Sequence, residues 1–410
     1  NYLNINLNRG FMESASVLLT YIAILGFILG FVVNKTNFCT MGAVSDWINI
    51  GDFSRFKAWM LAAAIAIIGV TISEFLAYVN INESRIPYRN SVLFWPRYII
   101  GGLMFGIGMT FASGCGNKVL IRVGGGNLKS VFVLIVAGFM AYLMTRTDFY
   151  GIFFHSWMNP ISPDLAQIGI YDQSLPSILS VITNAPNLMY FKLIIGLIIG
   201  LSMIFFIFKS GTFSNKIDDV ISGLVVGGVV VLAWIITGGN IGQDWIETNN
   251  FLDNPLPGVG VQSFTFINPM AESLIYAGSF GEHFYLTFGV VALFSVILGS
   301  FIYSILTQNF RIEWFASLQD FVRHIIGAIL IGIGGVLAMG CTIGQGVSGV
   351  STLALGSFIT LLSIVIGAAV TMKIEYYNAV YEDCSFFDSL RSSLADLNLI
   401  PNKFRTLEKI

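Results

Sequence analysis

The stretch RYIIGGLMFGIGMTFASGCG at residues 97–116 returns as RHIIGAILIGIGGVLAMGCT at residues 323–342, with ten of twenty positions identical. Apolar composition alone matches Ile with Ile. It does not align an arginine, three glycines, an alanine and a closing Gly-Cys in one register, so the segment reads as duplicated. Five apolar spans separate the start of one copy from the start of the other, and an odd number reverses direction across a bilayer. The copies are expected to run in opposite senses. In such inverted repeats substrates meet interrupted helices near the membrane midplane.

The rest of the chain fits that setting. Of its 410 residues 55% are hydrophobic and 11% charged, with mean hydropathy +0.78, whereas soluble domains carry about 25% charged residues. Nine spans have the ~20 apolar residues that a hydrocarbon core requires: 14–33, 57–79, 96–113, 127–145, 189–209, 217–237, 282–306, 322–338 and 353–372. The expected fold is all-α and integral to the membrane, with re-entrant half-helices in an inverted internal repeat. It forms a single membrane domain over 1–410, with repeat one at about 14–145, repeat two at about 217–372 and an amphipathic tail at 373–410. The first run, Ala15 to Val33, is too long for a signal-peptide core and has no small-residue cleavage site after it.

Four short glycine-rich pieces, 36–48, 114–126, 238–247 and 340–350, interrupt this pattern. Irregular backbone at membrane depth must be buried in protein or line a cavity, so they read as half-helices or re-entrant segments. A fainter match lays Gly30 and Asp46-Trp47 over Gly228 and Asp244-Trp245, with Cys39 opposite Thr237. Asp46-Trp47 reads as a half-helix end.

Charge sets the orientation. Fifteen of the 21 Lys and Arg fall on the side that carries the C-terminal tail. The other six, Arg9, Arg85, Arg89, Arg97, Arg146 and Lys192, fall on the opposite side. The positive-inside rule puts the C-terminus in the cytoplasm and the N-terminus outside. The segments 146–188 and 238–281 become outer loops, and the tail lies on the inner surface or meets a partner. A net charge of −2 gives no reason to expect nucleic acid.

Each Gly-Cys precedes residues able to start a helix. A half-helix beginning there aims unpaired N–H groups and the positive end of its dipole at the membrane interior, which is an anion site. The thiols of Cys39, Cys115 and Cys341 add soft, polarizable groups with a weak donor, suited to a sulfur-bearing anion. Packing is the competing explanation for any one such cysteine, since small residues fill helix interfaces in membranes; three in separate glycine-rich breaks favour function. Supporting residues are Gly114, Asn117 and Lys118 beside Cys115, and Gly340 and Gln345 beside Cys341. Ser113 and Ser348 are further uncharged donors. Lys118 reads equally as an anion partner or as an inner-face anchor, Arg122 and Lys129 read as anchors, and Arg97 and Arg323 as braces of the repeat. Cys384 stands outside the repeat. Walker, HExxH, CxxC and Gly-x-Ser-x-Gly patterns are missing, and His155, His283 and His324 form no metal set. The sequence gives no sign of an enzyme, a cofactor or a metal.

At Phe38-Cys39-Thr-Met-Gly42, Gly114-Cys115-Gly116 and Gly340-Cys341-Thr342 the chain resembles the YeeE/YedE family of sulfur-related membrane proteins, over about residues 20–372. The resemblance implies an hourglass-shaped inverted-repeat fold in the bacterial inner membrane. It also implies passage of thiosulfate along three cysteines, here Cys39, Cys115 and Cys341. The long outer segments and the charged tail depart from the family pattern. The leading function is a transporter or channel for thiosulfate or a related sulfur anion. Two others stay open: sulfur transfer through a cysteine persulfide to a cytosolic sulfur-carrier protein, and a membrane subunit of a larger complex.

Overall fold

The computed structural model describes residues 2–184, 187–209, 211, 213–253, 255–279, 286–381 and 384–408, with side chains from residue 14 onward. His283, Lys409 and the start of the expected span 282–306 lie outside the described residues. Among those described, the regular structure is helical, with isolated bridges and no strand.

Nine of the described helices are long and apolar enough to cross a membrane. They are α1 (Tyr2–Thr36), α3 (Ser54–Phe75), α4 (Trp95–Phe111), α6 (Leu128–Arg146), α9 (Leu188–Phe208), α10 (Ile217–Gly238), α13 (Phe288–Leu306), α14 (Leu318–Leu337) and α15 (Leu355–Val380). Shorter helices lie between and after them: α2 (Thr40–Ser45), α5 (Gly116–Gly124), α7 (Ser156–Met158), α8 (Leu175–Thr183), α11 (Asn240–Asn250), α12 (Ile267–Gly278) and α16 (Phe386–Asp396). The expected spans match except at their ends. The seventh begins at Phe288, capped by Thr287, and the ninth continues to Val380, eight residues into the segment assigned to the tail.

Bilayer lipid gives helices no hydrophobic reason to associate, so close backbone contact between small residues does the work. α4 and α14 cross on four glycines. A Cβ on Gly101 would stand 2.9 Å from the Gly334 carbonyl oxygen, and one on Gly108 would stand 2.7 Å from that of Gly327. The pairs 101–334 and 108–327 run against each other in number, so the two helices are antiparallel. Gly106 of α4 lies against Ile364 and Ala368 of α15, and Gly332 of α14 against Ala137 and Met140 of α6. These contacts are equivalent under the 226-residue offset. A second set joins α1 to α13, where Gly30 meets Val296 and Gly299 meets Phe27 and Phe31. Its counterpart joins α10 to α3, where Gly223 meets Ala58 and Gly227 meets Ala62. α9 sits outside this core. It touches α3 through Gly196 on Thr71 and Gly200 on Ile68, and it exposes Ile194, Ile198, Leu201 and Phe205, the pattern of a lipid-facing helix.

The segments expected as outer loops are more ordered than their Asn, Asp and Pro content implies. They contain α8, α11 and α12. Pro269 is accommodated because it sits in the first turn of α12, where its missing N–H is not needed. α12 packs on α6, with Met270 over Gly138.

The ion pairs sort by end. Lys216–Asp52 at 2.8 Å, Arg55–Asp46 at 3.2 Å, Lys129–Asp320 at 2.7 Å and Arg323–Glu375 gather at the end that holds the tail. Arg85–Glu272 at 2.7 Å, Arg89–Glu74 at 2.6 Å and Lys192–Asp172 at 2.9 Å gather at the other.

Candidate functional site

Three helices break in the same way. The residue two before each cysteine, Asn37, Ser113 or Met339, has left-handed backbone (φ 53°, 54° and 59°). The residue after it sends its N–H back five positions: Phe38 to Val33 O at 3.2 Å, Gly114 to Met109 O at 2.9 Å and Gly340 to Gly335 O at 2.8 Å. This is a Schellman ending, in which a left-handed residue stops the helix and the following N–H satisfies an orphan carbonyl. The cysteine comes next and opens a new helical segment. Its carbonyl accepts the first helical bond, from Ala43 N at 2.9 Å, Val119 N at 2.9 Å and Gln345 N at 2.7 Å for Cys39, Cys115 and Cys341.

A fourth break falls at Gly239, which caps α11 as Cys39 caps α2. The structural counterpart of Cys39 is therefore Gly239 and not Thr237, which the fainter sequence match selected. Thr237 is buried and donates its hydroxyl to Gln262 O at 2.7 Å.

These breaks bring the three cysteines together. Ala112, which caps α4, packs at Gly327, and Ala338, which caps α14, packs at Gly101. The two breaks thus begin at opposite ends of the crossing, 11 residues or about 16 Å of helix apart, and each turns back inward. They meet so closely that a Cβ on Gly116 would lie 3.5 Å from the Cβ of Cys341. The side chain of Cys39 interacts with that of Cys115, that of Cys115 with Thr342, and that of Cys341 with Thr265. The result is a buried string running from Cys39 through Cys115 to Thr342 and Cys341. The sulfurs of Cys39 and Cys341 accept from Gly42 N at 3.5 Å and Gly344 N at 3.4 Å. Cys115 makes no such capping bond.

The supporting residues fall beside the string. Asn117 and Gln345 are buried, each with a side-chain oxygen lacking a partner, and Thr342 is buried against Cys115. Gln345 is oriented by its bond to Ala338 O at 2.6 Å. Gly114 and Gly340 leave room for neighbours: a Cβ on the first would stand 3.2 Å from Lys118, and on the second 3.3 Å from Gln345. Lys118 donates to the side chain of Asn37, so its ammonium bridges the first two breaks. Arg55 lies over Gly42 and Arg122 donates to Ser113 O at 2.8 Å. Cations therefore collect at the Cys39 end of the string.

Ser113 takes part through its backbone, and Ser348 is tied to Phe264 O at 2.7 Å. Arg97 reaches Val336 O at 3.4 Å, near the end of α14, and Arg323 lies over the Phe111 ring at the end of α4. Each start of the duplicated helix braces the end of the other copy. Asp46 pairs with Arg55, and Trp47 packs at a tilt against Phe53 and Phe56. Cys384 bonds locally to Ser389 and Asn378, away from the string.

Sequence reasoning gave no role to Thr342, Asn37 or Tyr88. Thr342 was within reach, since it stands opposite Gly116 in the repeat. Asn37 holds its position through a backbone angle that composition does not reveal. Tyr88, buried, donates to Gly344 O at 2.8 Å from a connection far away in sequence.

A family profile described as Sulphur transport matches residues 35–370. The chain is similar to the thiosulfate transporter TsuA of Escherichia coli, 24% identical over 356 residues, covering 84% of this chain and 91% of that protein. It is also similar to the thiosulfate transporter TsuA of Spirochaeta thermophila, 25% identical over 363 residues, covering 84% of this chain and 95% of that protein.

Proposed function

Because the chain belongs to the Sulphur transport family, we propose that it carries thiosulfate, or a closely related sulfur-containing anion, across the membrane along Cys39, Cys115 and Cys341. The observation that supports this most is the convergence of three separately broken helices on one buried thiol string. An anion leaving water loses far more than a few kcal/mol unless donors replace its hydration. Here the first amides of α5, the thiols and the Thr342 hydroxyl supply donors in sequence. None carries a full charge, so the ion is held weakly enough to move on. Sulfur meets sulfur along the string, where soft, polarizable groups interact favourably.

In this reading no covalent chemistry occurs and the protein is not an enzyme. It sits in the bacterial inner membrane, with the end bearing fifteen Lys and Arg in the cytoplasm. There the cations Lys118, Arg55 and Arg122 face the cytoplasmic mouth. The tail with α16 is the surface that a cytosolic sulfur carrier would meet. Uptake of radiolabelled thiosulfate into proteoliposomes holding the purified protein tests the proposal. Saturable uptake above that of empty liposomes is expected, and its absence would sink the transport reading.

A further inference from the structure

Resting on that reading, we propose that Arg85 forms an oxyanion-receiving site at the end of the molecule opposite the tail, where a sulfur oxyanion docks before reaching Cys341. A cavity of about 260 Å³ opens there, lined among others by Arg85, Thr145, Thr265, Asn268, Met339 and Gly340. Its floor is the break that precedes Cys341, and Thr265 is also the residue that meets the Cys341 side chain. A water occupies about 30 Å³ of liquid, so the space accommodates a small oxyanion with part of its hydration shell.

Arg85 is held in place from several directions. Its backbone N–H bonds to Val261 O at 2.9 Å. Gly258 and Gly260, at φ 97° and 153°, press against it so closely that a Cβ on either would stand 3.3 Å from its side chain. The guanidinium donates to Glu272 Oε1 at 2.7 Å and to Gln262 Oε1 at 3.2 Å. Glu272 is itself fixed, accepting from Asn268 at 2.7 Å and from the Thr287 hydroxyl at 2.5 Å.

Two of five guanidinium donors are thus committed, while a quarter of the side chain stays exposed and lines the cavity. A planar fork with free donors fits two oxygens of an oxyanion. The fixed Glu272 carboxylate offsets the charge, so an anion is attracted without being trapped, as passage requires. The segments 80–94 and 238–281 thereby gain a role: they build a receptor around one arginine.

The test uses thiosulfate uptake by proteoliposomes with the full chain, scored as KM and maximal rate, with sulfate as competing oxyanion. Native uptake decides the transport reading on its own. Given that uptake, Arg85→Gln is expected to raise KM by about tenfold and to weaken inhibition by sulfate, with the maximal rate within about twofold. Arg85→Lys should fall between. If Arg85→Gln leaves Glu272 as an unpaired buried charge and the protein fails to fold, Arg85→Gln/Glu272→Gln removes both charges and serves instead. Unchanged KM and unchanged sulfate inhibition in a folded variant would overturn the proposal. So would a loss of maximal rate shared equally by the Lys and Gln variants at constant KM.

Discussion

Gly108 and Gly327 lie face to face where α4 crosses α14, each placing its carbonyl oxygen 2.7 Å from where the other's Cβ would be. Gly101 and Gly334 repeat the contact from the opposite side, at 2.9 and 2.8 Å. By the 226-residue offset, Gly327 is the copy of Gly101 and Gly334 the copy of Gly108. Residue i of one copy therefore meets residue j of the other, and j meets i, as at an interface with twofold symmetry.

Gly108→Val and Gly327→Val are expected to push the crossing apart. Forcing methyl groups into a packed interface costs about 1–3 kcal/mol. Thermal unfolding in detergent should show a lower midpoint for either variant. Gly228→Val, at a position with open space around it, should leave the midpoint where it was.

The left-handed residues before the cysteines give a prediction of opposite sign. A non-glycine residue in this region costs about 1–2 kcal/mol, and glycine returns part of that in unfolded-state entropy. Ser113→Gly should therefore stabilise the protein by about 0.5–1 kcal/mol. Ser113→Val should destabilise it by more than that. Chemical denaturation in mixed micelles measures both, and equal stability for the two would remove the helix-ending role given to this backbone angle.

The spans, their reversal and the three cysteine-bearing helix breaks were legible because each has a linear signature: apolar length, an odd count and a short glycine-rich interruption. The helices α8, α11 and α12 were not. Their Asn, Pro and Gly content reads as loop, and their helicity comes from packing on α6, α9 and α10. Arg85 was equally silent, since its meaning arises from Glu272 and Gln262, nearly two hundred residues away. The mismatch of Thr237 with Cys39 has a plain cause. Slippage of two residues between the copies leaves the Asp-Trp pairs aligned while the helix breaks fall out of register.

Serine and alanine at position 39 separate folding from passage. Serine keeps an acceptor for Gly42 N, so its stability should lie within about 0.5 kcal/mol of native. Alanine loses the cap, at about 1 kcal/mol. Both remove the polarizable sulfur, and both should lower thiosulfate uptake by roughly an order of magnitude, about 1.4 kcal/mol. A serine variant that transports as well as the native protein would take the thiol out of the account.

Asp172 ties the connection before α9 to that helix through Lys192. Burial pushes its carboxyl up, but the Lys192 ammonium, the Ser174 hydroxyl and Arg89 outweigh it and hold the group at about 2. A depressed folded pKa stabilises the native state above the unfolded value, about 3.9, and the gain is lost as pH falls toward 2. Asp172→Asn should thus melt lower than native at pH 7. The gap should hold down to pH 5 and narrow between pH 4 and 2. A gap that closes already between pH 7 and 5 would assign the stabilisation to another group.

The central claim is that the sulfur anion travels along the thiols that the two antiparallel copies bring together. Its most direct test is radiolabelled thiosulfate uptake by proteoliposomes carrying either the native protein or Cys115→Ala/Cys341→Ala, at matched incorporation and with matched thermal midpoints. The account predicts saturable uptake by the native protein and near-background uptake by the double variant. Equal uptake by both would contradict it, and would place the path elsewhere in the fold.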